Sequence, residues 1–164
     1  MSQKSIRCAI LVLMLLAATP VLAQENQIVG VASVIDGDTI EIHGQRIRLF
    51  GIDALESSQL CVRPTGEHWR CGQQGSLALS DRIGRATIRC EPRDVDRYHR
   101  IVAVCFKGSE DLNRWMVANG WAVAFRRYSR DYVVDEDAAR KRRLNIWSGD
   151  FDMPWDWRAH RQSR

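Results

Sequence analysis

Between residues 28 and 52 the chain is an almost unbroken β pattern with two interruptions, and no other stretch constrains the fold as much. Ile28-Val29-Gly30-Val31-Ala32-Ser33-Val34-Ile35 is β-branched and apolar. Asp36-Gly37-Asp38 interrupts it, residues 39–43 resume with alternation, and His43-Gly44 is a second turn signal. Residues 45–52 then return as another strand, so a meander of two or three strands is predicted. Residues 87–90 and 101–106 read as a second strand pair around a charged loop.

Three helices are expected. Residues 73–83 carry Leu77, Leu79 and Ile83 and stop at Gly84. Residues 111–119 carry Leu112, Trp115 and Met116 at helical spacing and stop at Gly120. Residues 134–143 begin acidic and end basic, the order a helix dipole favours. Short strands followed by strands mixed with helices give an α+β chain. About five strands with a strongly bent meander suit an OB-type barrel. The polar segment after Trp147, with Trp155 and Trp157, is expected to pack along the body.

The first residues do not belong to that domain. Lys4 and Arg7 precede an uncharged apolar run over residues 8–18, and Val21-Leu22-Ala23 ends in a small residue. This is the layout of a secretory signal peptide cut before Gln24. The apolar run is shorter than the roughly 20 residues a membrane span needs, and Pro20 interrupts it. The expected organisation is a signal peptide at 1–23, one domain at 24–150 and a C-terminal tail at 151–164. The product is then exported, periplasmic or secreted, with no membrane attachment after cleavage.

Losing residues 1–23 lowers the formal charge from +4 to +2, too little to indicate nucleic acid by itself. The mature chain keeps only Lys107 and Lys141 as lysines; its other bases are arginines. Guanidinium forks match phosphate bidentately, although a genome-wide preference for arginine gives the same bias. Four cysteines remain behind the leader: Cys61, Cys71, Cys90 and Cys105. An even count in an exported chain reads as two disulfides with three possible connectivities. Cys61–Cys71 and Cys90–Cys105 are favoured, the second joining neighbouring strands. A zinc site is disfavoured because no C-x-x-C pair exists.

Folding the first hairpin about His43-Gly44 makes partner numbers sum to roughly 88. Asp36 and Asp38 then reach the end where Asp53 follows the returning strand, and Glu56 comes three residues later. Four carboxylates at one end repel one another without a cation, and hard oxygen donors suit Ca²⁺ or Mg²⁺. Ordinary turn chemistry explains Asp36-Gly37-Asp38 alone; Asp53 and Glu56 at the same end are what point to a metal. Arg48 lies mid-strand among Ile47, Leu49 and Phe50, where a cation needs solvent or an anionic partner. A structural salt bridge to one of the carboxylates is its alternative role. Arg93, Arg97 and Arg100 form a second basic group, and Tyr98 among them can stack on a base.

These residues carry a family likeness. The chain resembles the staphylococcal nuclease (thermonuclease) family in four segments taken in order: Ile35-Asp36-Gly37-Asp38-Thr39, Arg48 through Glu56, Asp96-Arg97-Tyr98-His99-Arg100, and Leu144-Asn145-Ile146-Trp147-Ser148. Leu55 stands where the family usually has proline, and His99 where it has glycine. The resemblance implies an OB-like five-stranded β-barrel with three α-helices. It implies Ca²⁺-dependent cleavage of DNA and RNA, single-stranded or frayed, leaving 3′-phosphate ends. By residue, it makes Asp38 and Asp53 metal ligands, with Ala54 adding a backbone carbonyl and Asp36 in support. Glu56 positions or deprotonates the attacking water, and Arg48 and Arg100 hold the phosphate. Tyr98 and Tyr128 contact the nucleic-acid strand. No stable protein partner is implied, and the chain is expected to act as a monomer.

Two other classes fit parts of the pattern. An OB-like barrel can bind single strands without cutting them, and some family members lack catalytic residues. An exported domain could also use the acidic corner to bind Ca²⁺ for stability alone, but that role does not require paired arginines.

Overall fold

Alternation in the first meander sends Ile40, Ile42, Ile47 and Leu49 inward, where each is at most 1% exposed. The computed structural model describes residues 27–163, so the leader and its cleavage point lie outside the described residues. The meander consists of β1 (Ile28–Val31), β2 (Ser33–Asp36), β3 (Thr39–Ile42) and β4 (Gln45–Leu49). β3 and β4 pair antiparallel with Thr39 opposite Arg48 and Ile42 opposite Gln45, one residue from the expected register. The turn holds because His43 and Gly44 both take positive φ.

The returning strand is shorter than expected. Gly51, at φ 73°, breaks it, and β5 (Ile52–Ala54) leaves the main sheet to pair with β11 (Ala122–Ala124). Between them in the chain come β6 (Cys61–Val62), β7 (His68–Trp69), α1 (Cys71–Ile83), β8 (Thr87–Val95), β9 (Ile101–Lys107), β10 (Glu110–Asp111) and α2 (Leu112–Ala118). After β11 come α3 (Val133–Lys141), a 3-10 turn (Asn145–Ser148) and α4 (Pro154–Gln162). Among the described residues the α-helices number four rather than the expected three. The fourth, α4, is built from a segment whose few apolar residues hide its periodicity, and Pro154 at its first turn starts it.

The principal sheet runs β1-β8-β9-β4-β3-β2, with β10 added beside β9. β1 and β2 are halves of one bent run separated by Ala32, so the order returns on itself as an OB-like half-barrel of five long strands. All its pairings are antiparallel except β4 with β9. α2 caps the interior with Leu112, Met116 and Val117, and α1 adds Leu79 and Ile83.

A second, smaller core joins the C-terminal segment to this barrel. Leu55, Cys61, Cys71, Val123 and Ile146 form it, with Trp69, Trp147, Phe151, Met153 and Trp155 packed around them. The structure pairs Cys61 with Cys71 in this core and Cys90 with Cys105 across β8 and β9. Among the described residues, no helix is long and apolar enough to cross a membrane.

Candidate active site

The site lies where β2, β4, β5 and the loop after β8 reach one rim of the barrel. Asp38 follows the turn after β2, and its carbonyl accepts the Leu49 N–H at 2.7 Å. That places Asp38 beside the end of β4, as the hairpin geometry requires. Its side chain is buried and accepts from the Ala54 N–H at 2.9 Å. Asp36 Oδ1 accepts from the Asp38 N–H at 3.0 Å and so braces the turn. Asp53 is fully buried on β5.

Arg48 connects the two aspartates. Its Nη1 donates to Asp38 Oδ1 and its Nη2 to Asp53 Oδ1, both at 2.8 Å. The salt-bridge role weighed for Arg48 is therefore present. The guanidinium also lines the cleft in front of the aspartates. Burial pushes the Asp38 carboxyl up to about 7, more than the neighbouring Arg48 pulls it down, and the charges of Asp36 and Asp53 add to the rise. For Arg48, burial opposes the charged form, but Asp38 and Asp53 outweigh it and raise the guanidinium.

The four carboxylates share one end of the barrel but do not converge on one point. Among the described residues, no three acidic, His or Cys side chains gather into a metal cluster. The cations that lie between these acids are guanidinium groups. Arg48 separates Asp38 from Asp53, and Arg158 of α4 spans Asp53 and Glu56. Sequence reasoning missed Arg158. Its signal was a helix-start proline at 154 followed by an acid at 156 and bases at 160 and 161.

Glu56 follows β5, and Gly72 allows α1 to start against its backbone. A Cβ at Gly72 would lie 1.8 Å from the Glu56 carbonyl oxygen. The Glu56 N–H donates to Gln59 Oε1 at 3.3 Å, and Gln59 Nε2 donates to the Asp152 carbonyl at 2.6 Å. Buried Gln59 therefore ties the Glu56 loop to the segment leading into α4.

Arg100 enters from the loop between β8 and β9. Asp96, a second residue missed from sequence, organises this loop. Its Oδ1 accepts the N–H groups of Tyr98 at 2.9 Å and Arg100 at 3.0 Å. Its Oδ2 accepts from Arg100 Nε at 2.7 Å and pairs with Nη2 at 2.7 Å. An Asx-type turn starting at Asp96 was the available signal. Burial works against the Asp96 charge, but the donors from Arg100 and Tyr98 outweigh it and hold the carboxyl below its usual range. His99 takes φ 60°, the left-handed conformation that glycine adopts easily, so the loop keeps its bend with histidine there.

Asp36, Asp38, Arg48, Ala54, Glu56, Tyr98, Arg100, Tyr128 and Arg158 line one cleft of about 700 Å³. Tyr98 and Tyr128 are 66% and 63% exposed, so their rings are open to a ligand. The guanidinium carbons of Arg97 and Arg100 lie 5.3 and 5.4 Å from the Tyr98 ring centre. Phe125 connects Tyr128 to α4, with ring centres 5.0 Å from Tyr128 and 5.7 Å, stacked, from Trp155.

The donor set suits a hard divalent cation. The buried Asp38 and Asp53 side chains offer carboxylate oxygens, the donors that a hard divalent cation takes. Asp38 and Asp53 are the residues able to hold such an ion. Ala54 directs its N–H to Asp38, and its carbonyl is the backbone oxygen adjacent in the chain.

The fold is an OB-type barrel with arginines and acids brought together in a rim cleft. Residues 46–149 match the family model described as "Staphylococcal nuclease homologue", and the chain belongs to that family. It is 39% identical over 128 residues to the succinoglycan biosynthesis protein ExoI of Rhizobium meliloti (strain 1021), covering 73% of this chain and 64% of that protein. It is 33% identical over 140 residues to an uncharacterized endonuclease of Escherichia coli, covering 80% and 84% of the two chains. It is 30% identical over 146 residues to a micrococcal nuclease of Shigella flexneri, covering 78% of each.

Proposed function

We propose that this protein is a calcium-dependent endonuclease that hydrolyses phosphodiester bonds of single-stranded or frayed DNA and RNA. The observation that carries the reading is the cleft lined by Glu56, Arg48, Arg100, buried Asp38 and two exposed tyrosines, with fully buried Asp53 paired to Arg48. Family membership and the nuclease names of relatives support it.

Asp38, Asp53 and the Ala54 carbonyl would hold the calcium, which when bound would supply positive charge to stabilise the anionic phosphate. Glu56 takes a proton from the attacking water. The water oxygen bonds to phosphorus, the bond to the 5′ oxygen breaks, and that oxygen leaves and takes a proton from solvent. The 3′-phosphate stays on the upstream fragment. Charge grows on the phosphate oxygens as this happens, and two fixed guanidinium groups stabilise that charge more than the ground state. Arg48 is held in place by Asp38 and Asp53. Arg100 is held by Asp96 through Nε and Nη2, which leaves Nη1 available for phosphate. Tyr98 and Tyr128 receive the bases, and stacking of this kind tolerates any sequence.

The chain is exported through a signal peptide at residues 1–23 and works as a monomer without a protein partner. Two disulfides fit an oxidising compartment. Digestion of single-stranded DNA by the mature, oxidised protein tests the reading. Cleavage in calcium that stops in chelator is expected. Binding without cleavage in calcium would instead make the cleft a recognition groove.

A further inference from the structure

A second arginine reaches the carboxylates from outside the segment that matches the family model. Arg158 lies on α4, beyond residue 149. Its Nη1 is 3.1 Å from Asp53 Oδ1 and 3.0 Å from Glu56 Oε1, and its Nη2 is 2.7 Å from Asp53 Oδ2. Asp53 Oδ1 also accepts from Arg48, so guanidinium groups engage both oxygens of this buried carboxylate. Glu56 and Asp53 are thus joined through one side chain more than a hundred residues away in sequence.

The helix that carries Arg158 is anchored to the Glu56 loop. Gln59 bridges Glu56 and Asp152. Val62 and Asp150 exchange backbone hydrogen bonds at 2.8 and 2.9 Å. Trp155 stacks on Phe125, and Arg161 Nη1 lies 3.3 Å from Ser58 Oγ. Anchoring at several points orders a long, flexible side chain that entropy otherwise keeps mobile.

We propose that Arg158 is a positioning residue that holds Asp53 and Glu56 in place before the divalent ion arrives and surrenders Asp53 to it. The inference rests on the calcium reading given above. A guanidinium and a divalent ion compete for the same anionic oxygens, and like charges this close repel strongly in a partly buried site. The ion therefore binds the fraction of molecules in which Arg158 has left Asp53, which lowers its apparent affinity by that fraction. Glu56, whose side chain is 36% exposed, keeps Arg158 as its neighbour when Asp53 is released.

Calcium titration by calorimetry, without nucleic acid, tests this on the full oxidised protein. Arg158→Gln is expected to bind calcium roughly tenfold more tightly than the wild type, within the usual range of coupling between sites. Arg158→Lys, which keeps the charge without the fork, is expected to fall between the two. Arg48 still pairs with Asp53 in both variants, so the acid is not left unpartnered. Trp155→Ala provides a variant outside the cluster; it loosens α4 and is expected to shift calcium binding in the same direction. If the wild type binds calcium and Arg158→Gln binds no more tightly, Arg158 is only structural and the calcium reading stands. If neither protein binds calcium, the calcium reading falls and this proposal falls with it.

Discussion

Arg48, Arg100 and Arg158 of the cleft are each held by an acid, and the acid decides what the loss of each will do. Arg48 spans two buried carboxylates. Removing one partner of a buried pair is strongly destabilising, about 3 kcal/mol or more, though Asp53 retains Arg158. Arg48→Ala is therefore expected to lose stability in chemical denaturation as well as activity. Asp38 predicts a pH effect. Its folded carboxyl sits near 7 against an ordinary 3.8, so between those values the folded protein holds the extra proton. The metal-free protein should lose stability as pH rises from about 4 to 7 and then level off. Calcium needs the ionised acid, so its affinity should increase over the same rise; calorimetry at pH 6 and pH 8 measures this. Asp96 has the opposite sign. Its folded carboxyl is depressed, so its contribution is present above about 4 and lost in acid. Asp96→Asn should lower turnover, because it frees Arg100, and should lower the melting temperature slightly at neutral pH but not in acid, where the charge is already lost.

At the scale of elements, the parts readable from sequence were those whose period is long enough to register. The first hairpin alternates over two strands around His43-Gly44, and its pairing lies within one residue of the expected register. That register alone places Asp38 beside the end of β4. Helices α1 to α3 each present several apolar or dipole-matched residues, and their observed ends differ from expectation by no more than two residues. β5 and β11 were not readable. Each is three residues long, too short for alternation, and each is defined by a partner some seventy residues away. α4 was hidden for a different reason. Its stability comes from docking Trp155 and buried Pro154 on the second core, a tertiary effect with a weak local pattern. Arg158 carried only the weak helix-start signal at Pro154 for the same reason, and Asp96 only an Asx-turn signal, because its role is set by loop hydrogen bonds rather than by periodicity. The disulfides act on elements too. Cys90–Cys105 closes 15 residues across β8 and β9, and its removal by paired alanines should cost about 3 kcal/mol. Thermal melting of the double variant measures that loss.

For the whole molecule, the barrel supplies a rigid rim and the second core ties the C-terminal helix to it. The consequence is a cleft assembled from widely separated parts: aspartates from the first meander, an arginine from the β8–β9 loop and another from α4. Such a site depends on the closed fold rather than on any one motif, which explains why four modest motifs in order said more than each alone. The belonging of the chain to the staphylococcal nuclease homologues agrees with this architecture. The most direct measurement is single-turnover cleavage of single-stranded DNA in calcium by the wild type and by a folded Arg100→Ala variant. The account predicts a loss on the order of 10²–10³ in rate, the usual effect of removing one preorganised donor, with an unchanged circular dichroism spectrum. An unchanged rate in the folded variant would remove Arg100 from the mechanism and contradict the account.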